Sequence, residues 1–376
     1  MAFIHASGRN STFSSSIGLH VNGQDSLLQP LLTDYYQITM CYGYWLAGSH
    51  DEIAVFDLFF RNNPFNGEFT VFAGLEDCLR FVENFKFSNS DIDYIKTLLP
   101  DDCNPAFFEY LAQLDCSRMK IEAIPEGSVV FPKVPLMTVE GPLAICQFLE
   151  TTGDLSYLSK EVRARFRKVA DLDTNWEWIA NLTIVASNDI NEETIVSLNE
   201  QSHEINAFGI GTHLVTCQKQ PALGCVYKLV GLSGHPKIKL SQDVSKITIP
   251  GRKKCFRLYG KTGYSILDLM MLEDEQEPTE NTQILCRHPF EESKRALVMA
   301  SKVEQLQQVF WCNGAIVQEL PGINTIRDRV NKSLHTLRKD HRRSFNPTPY
   351  KVSVSEKLDN FLHALWLQNA PIGQLE

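Results

Sequence analysis

Between Leu182 and Thr212 the chain alternates in the manner of a parallel sheet. The apolar, β-branched run LTIVA leads into a polar turn at Ser187-Asn188-Asp189, and NEETIVSLNE then follows with helical spacing. A second apolar run, Ile205 to Ile210, ends in Gly209-Ile210-Gly211-Thr212. A strand, a crossover helix and a second strand are the parts of a βαβ unit, which belongs to an α/β fold. Ligands in such folds gather at the C-terminal ends of the strands. Ser187, Asn188, Asp189 and the glycine turn all fall at those ends.

The glycine turn admits two readings. Gly209 and Gly211 can serve a tight strand-to-helix turn and nothing more. Alternatively, the absence of Cβ atoms lets successive backbone N–H groups face an anion, with the Thr212 hydroxyl as a further donor, which makes a phosphate nest. GKTG at Gly260 to Gly263 is not a phosphate loop: Cys255 stands where the upstream glycine belongs, and no helical pattern follows.

The remaining text is that of a globular chain. Its 376 residues are 43% hydrophobic and 22% charged, enough for two domains with a substantial core. A net charge of −9 argues against non-specific nucleic-acid binding, although a local N–H-rich pocket can still hold an anionic nucleotide. None of the ten cysteines lies in a C-x-x-C pair or at zinc-finger spacing, so they read as reduced core thiols of a cytosolic protein. No apolar run approaches the length of a membrane span.

In chain order, residues 1–26 read as a disordered tail, 27–148 as mixed helix and strand, 149–216 as α/β, and 217–376 as largely β. Leu31 to Gly48 reads as a helix capped by Thr33 or Asp34, with Tyr35 and Tyr36 in its first turn. Glu52 to Phe65 reads as a strand running into the turn RNNPFNGEF. Arg61, at the strand's end, is either a solvated charge or an anion ligand. Leu99 to Leu114 reads as helical. Lys120 to Gly141 reads as short strands punctuated by proline and glycine. Beyond Val226 the chain is β-rich, Ser333 to Arg343 reads as a basic helix, and SEKLDNFLHALWL reads as a closing amphipathic helix.

Several separated blocks resemble, in order, the nicotinate phosphoribosyltransferase family. They include LLTDYYQITM, FDLFFRNNPF, FAGLEDCLRFV, PEGSVVFPKVPLMTVEGPL, VASNDINEE, FGIGTHLVTC, KLSQDVSKITIPG and HRRSFNPTPYKVSVSEKL, and they cover nearly everything from Leu31 to about Leu358. The resemblance implies a type II phosphoribosyltransferase, an irregular α/β barrel paired with an α/β sandwich, with 27–148 as the N-terminal part of the sandwich, 149–216 as the remnant of the barrel with the phosphate-binding loops, and 217–376 as the C-terminal part of the sandwich. It also implies homodimers with active sites at the subunit interface. The implied substrates are nicotinate, phosphoribosyl pyrophosphate and ATP, with Mg²⁺ (or Mn²⁺ in its place). On this resemblance Tyr36 stacks on nicotinate, while Gly209, Gly211 and Thr212 hold the phosphoribosyl phosphate. Asp154 lies near ribose and metal as the metal ligand. Ser187 and Asn188 lie beside it, and Arg61 is a further correspondence.

The chain departs from the family at Thr152, which is followed directly by GDLSYLSKEVRARF. The family's long central segment, with its phosphorylated histidine, has no counterpart there, and His213 does not replace that histidine. A complete (β/α)₈ barrel takes about 250 residues, whereas residues 153–216 supply about two βα units at roughly 30 residues each. The barrel is therefore expected to be truncated. The expected activity is formation of nicotinate mononucleotide in NAD biosynthesis, coupled to ATP hydrolysis. A catalytically inactive isoform acting as a dimer partner is the alternative, and a related transferase for another base is a third.

Overall fold

The computed structural model describes residues 30–31, 33, 35–100, 102–149, 163, 166–167, 180–181, 184–187, 190–210, 223–239 and 246–369. The expected tail at 1–26, Asp34 and most of the basic stretch after Thr151 lie outside them.

The first helix, α1 (Tyr35–Leu46), buries Ile38 and Cys41 on one side and sets Tyr42 and Trp45 against Phe107, with ring centroids 4.9 and 5.8 Å away. Thr33 does not cap it: its hydroxyl is buried without a hydrogen-bond partner. Strand β1 (Ile53–Phe60) follows, then a 3-10 turn at Pro64–Asn66, β2 (Thr70–Val71) and α2 (Leu75–Glu83). The helix expected over 99–114 is present but shorter, as the second of two helices here, and the one before it was not expected. The first, α3 (Asn89–Leu98), is opened by a capping box in which Ser88 and Asp91 satisfy each other's backbone N–H. The second, α4 (Pro105–Gln113), is capped by Asn104. Pro100 lies between them, in the break where the chain cannot stay helical. The short strands expected next are β3 (Lys120–Ala123), β4 (Val129–Val130) and β5 (Met137–Pro142), and β5 runs into the fully buried α5 (Leu143–Gln147).

The βαβ unit is present as β6 (Val185–Ser187), α6 (Glu192–Glu200) and β7 (Ala207–Gly209). Its strands are parallel, and Ala186, Leu198 and Ile205 form its small core. Asn191 caps α6 by accepting from Thr194 N at 2.7 Å.

Downstream lie β8 (Cys225–Leu232), β9 (His235–Pro236), β10 (Lys253–Tyr259), β11 (Ser265–Leu272), β12 (Gln283–His288), β13 (Glu291–Met299), β14 (Lys302–Gln305), β15 (Gln308–Cys312) and β16 (Ala315–Ile316). Helix α7 (Ile323–Thr336), strand β17 (Lys351–Ser355) and helix α8 (Glu356–Asn369) complete the described chain. The rejected GKTG segment is the β10–β11 hairpin turn, closed by Gly260 N donating to Tyr264 O at 2.9 Å. The basic helix expected at 333–343 is displaced, because α7 stops at Thr336. Arg338 then turns back on Asp340, its Nη2 2.6 Å from the carboxylate.

Among the described residues the strands make one seven-stranded sheet, ordered β16-β15-β3-β5-β1-β8-β9, and one six-stranded sheet, ordered β13-β12-β17-β11-β10-β14. Both mix distant parts of the sequence. One core joins them, from Phe56, Phe60, Ile121 and Val139 on the first sheet to Cys255, Met270 and Val354 on the second. The neighbouring residues of β10 and β11, including Phe256, Leu258, Leu267 and Leu269, form a separate cluster, as alternation along a strand requires. The β6–β7 pair stands apart as a two-stranded parallel sheet. A mixed α/β chain with a two-sheet sandwich and an unclosed barrel piece is the expected fold class.

Candidate functional site

Tyr36 sits in the first turn of α1 and is half-buried. Gln37 donates from Nε2 to the Tyr36 hydroxyl oxygen at 2.8 Å. Gln147, the last residue of α5, donates in turn to Gln37 Oε1 at 2.7 Å. Sequence reading missed both glutamines, since an amide within an apolar helix pattern carries no sign of its partner.

Arg61 follows β1 directly and is half-buried. Its Nε is enclosed without a hydrogen-bond partner, and no carboxylate among the described residues pairs with it. A buried donor left unpaired is costly unless something supplies an acceptor. The loop after it is strained: Phe65 and Asn66 hold φ of 56° and 55°, and the Phe65 ring is 69% exposed. Bulky residues adopt that region only at a cost. Next to β1, Lys133 donates its backbone N–H to Phe60 O at 2.8 Å and places Nζ between the Phe59 and Phe290 rings, 5.8 and 5.7 Å from their centroids. A second cation thus stands near the end of the strand that carries Arg61.

The βαβ unit brings Ser187 and Gly209 together as register partners at the C-terminal ends of β6 and β7. The unit is braced by Asn206, whose Oδ1 accepts from Ile184 N at 2.8 Å and from the buried Arg163 at 2.5 Å. Asp154, Asn188, Gly211 and Thr212 lie outside the described residues, as does His213. Among the described residues no group of three or more His, Cys, Asp or Glu side chains could hold a metal ion, and no helix is long and apolar enough to cross a membrane.

Burial governs the titration of the cysteines: it pushes the Cys116 thiol up to about 12 and those of Cys41, Cys146 and Cys255 higher still. These thiols are inert packing groups and offer no nucleophile.

Residues 31–153 match the nicotinate phosphoribosyltransferase N-terminal domain, and residues 252–362 match the C-terminal domain of the same family. The nicotinate phosphoribosyltransferase of Caenorhabditis elegans is 47% identical, over 96% of this chain and 97% of its own length. Nicotinate phosphoribosyltransferase 2 of Arabidopsis thaliana is 35% identical, over 93% and 96%. The crystal structure of human nicotinic acid phosphoribosyltransferase superposes with a TM-score of 0.65 at 25% identity, covering 89% of this chain and 99% of that one. The alignment to the nematode protein runs over 545 positions, of which 96% of 376, about 361, hold a residue of this chain. About 184 positions of that relative therefore face a gap here. The two matched domains, the identity to these relatives and the superposition agree, and the chain belongs to the nicotinate phosphoribosyltransferase family.

Proposed function

We propose that this chain acts as a nicotinate phosphoribosyltransferase. The observation that carries the reading is the 47% identity to a protein of that name, in an alignment that spans 96% of this chain and 97% of that one. In the proposed reaction the pyridine nitrogen of nicotinate forms a bond to the anomeric carbon of phosphoribosyl pyrophosphate. The carbon–oxygen bond to pyrophosphate breaks and takes the electron pair with it. Nicotinate mononucleotide and pyrophosphate are the products, and the step stands first in making NAD from nicotinate.

Positive charge develops on the ribosyl carbon and negative charge on the departing pyrophosphate, so fixed dipoles and cations aimed at these centres lower the barrier. Tyr36 supplies a π-face for the aromatic acid. Gly209, Gly211 and Thr212 supply the nest for the 5-phosphate, with Ser187 and Asn188 beside it. The partnerless Nε of Arg61 supports a role as an anion ligand. ATP and Mg²⁺ enter as co-reactant and ion. Asp154 is the residue proposed for the metal. A homodimer with its site between subunits is part of the same reading. So is a cytosolic location, which the lack of a disulfide among the described cysteines supports.

The test is an assay of the purified chain for nicotinate mononucleotide from nicotinate, phosphoribosyl pyrophosphate and Mg²⁺, with and without ATP. Turnover is the expected result. A folded sample that forms no product, with either nucleotide condition, would overturn the reading in favour of a non-catalytic partner subunit.

A further inference from the structure

Two side-chain amides are buried near Tyr36 at positions where apolar residues pack without cost. Gln37 is 0% exposed and Gln147 3%. They are linked in series. Tyr44 Oη donates to Gln147 Oε1 at 3.5 Å, Gln147 Nε2 donates to Gln37 Oε1 at 2.7 Å, and Gln37 Nε2 donates to Tyr36 Oη at 2.8 Å. A buried amide is tolerated only while its hydrogen bonds are made, and a satisfied buried network fixes one geometry.

Gln147 belongs to a helix held on several sides. All five residues of α5 are buried. Its first two N–H groups donate to Glu52 O and His50 O at 2.8 and 3.1 Å. Cys146 O accepts from Tyr227 Oη at 3.2 Å, and the Tyr227 ring lies stacked on Phe56. Tyr36 itself is on the half-buried first turn of α1, where packing alone does not fix a ring.

We propose that Gln37 and Gln147 are positioning residues that hold the Tyr36 phenol, through its oxygen, in the orientation that stacks on nicotinate. This rests on the assignment of Tyr36 to nicotinate under the proposed function. Because the amide donates, the phenolic oxygen is the acceptor and its proton points away from the relay. Ring tilt is then set by the sandwich core rather than by the ligand, and binding incurs less ordering cost.

Nicotinate titrated calorimetrically into the purified full chain, with phosphoribosyl pyrophosphate titrated separately, tests this. Gln147→Met, similar in volume but unable to bond Gln37, should weaken nicotinate binding by about 3- to 10-fold, the scale of one neutral hydrogen bond. Phosphoribosyl pyrophosphate binding should be unchanged. Tyr36→Phe should lose a similar factor, and the double variant should be no weaker than Tyr36→Phe, since both act through one oxygen. Unaltered nicotinate affinity in Gln147→Met, alongside a large loss in Tyr36→Ala, overturns the relay and leaves the Tyr36 assignment standing. Unaltered affinity in Tyr36→Ala, or no nicotinate binding by the unsubstituted chain, overturns both. Should Gln147→Met not fold, Tyr36→Phe decides: full retention of affinity overturns the relay.

Discussion

Lys253 and Asp57 are each 2% exposed at the side chain and stand 2.7 Å apart, one on each sheet of the sandwich. Thr138 donates to Asp57 Oδ1 at 2.9 Å, and Lys253 also donates to Ile249 O at 2.8 Å. Such a pair is weak grounds for net stability, yet removing one member leaves an uncompensated buried charge. Lys253→Met should therefore cost about 3–5 kcal/mol in urea unfolding, and adding Asp57→Leu should recover most of it. An unchanged midpoint in the single variant would show that the charge is solvated in the folded state. Neither partner of this pair was legible in the sequence, because 196 positions separate Asp57 from Lys253 and a lone lysine in KKCFRLY looks like a surface charge. The same holds for Gln37 and Gln147, which lie 110 residues apart. The places of Tyr36 in the first turn of α1 and of Gly209 at the end of β7 were legible because each belongs to a contiguous local pattern.

Elements were legible where the signal was local. The βαβ unit follows from hydrophobic alternation, and its register, Ser187 opposite Gly209, is the one that puts both turn residues at the same end. Helix α3 was missed and the span of α7 was misplaced, each for a specific reason. The Ser88–Asp91 capping box was overlooked within a polar stretch, and the basic cluster after Leu337 drew the helix too far along the chain. Gly127 shows what local pattern cannot reveal. It holds φ of +87°, and a Cβ there would stand 2.6 Å from Ile326 O on α7. Arg329, one turn further on, donates to Glu126 O at 2.6 Å. Gly127→Ala is expected to destabilise by roughly 1–3 kcal/mol through both backbone strain and displacement of α7, read as a lower thermal midpoint. A midpoint equal to the parent's would mean that the contact relaxes freely. Asn191→Ala should cost about 1 kcal/mol by leaving the start of α6 uncapped, seen as faster amide exchange at Thr194 and Ile195.

At the scale of the whole molecule, the residues that match the two ends of the family fold as one body. Strand β15 pairs with β3, and Trp311 Nε1 donates to Cys116 O at 2.9 Å. A second tie runs through Arg257, which holds Asp268 at 2.8 Å and donates to Val129 O at 2.9 Å beneath the stacked rings of Phe131 and Tyr350. With the core and these ties shared, neither end has an independent reason to stay folded. Tryptophan fluorescence and far-ultraviolet circular dichroism should then report coincident urea transitions for the sandwich. The pH dependence of that transition has a definite sign. Burial raises the thiols of Cys41, Cys116, Cys146 and Cys255 above their ordinary value near 9.0. Below that value both folded and unfolded chains keep the proton, and stability does not depend on it. Above it the unfolded chain releases protons that the folded chain retains, so stability must fall as pH rises through 9 and beyond. The thermal midpoint is expected to be flat with respect to these groups from pH 7 to 8 and to decline above pH 9. Replacing Cys116, whose folded value is about 12, with alanine should shallow that decline. A midpoint that holds steady to pH 10.5 would mean that these thiols ionise as readily in the folded protein as in the unfolded one, and that the core joining the two ends is open to water.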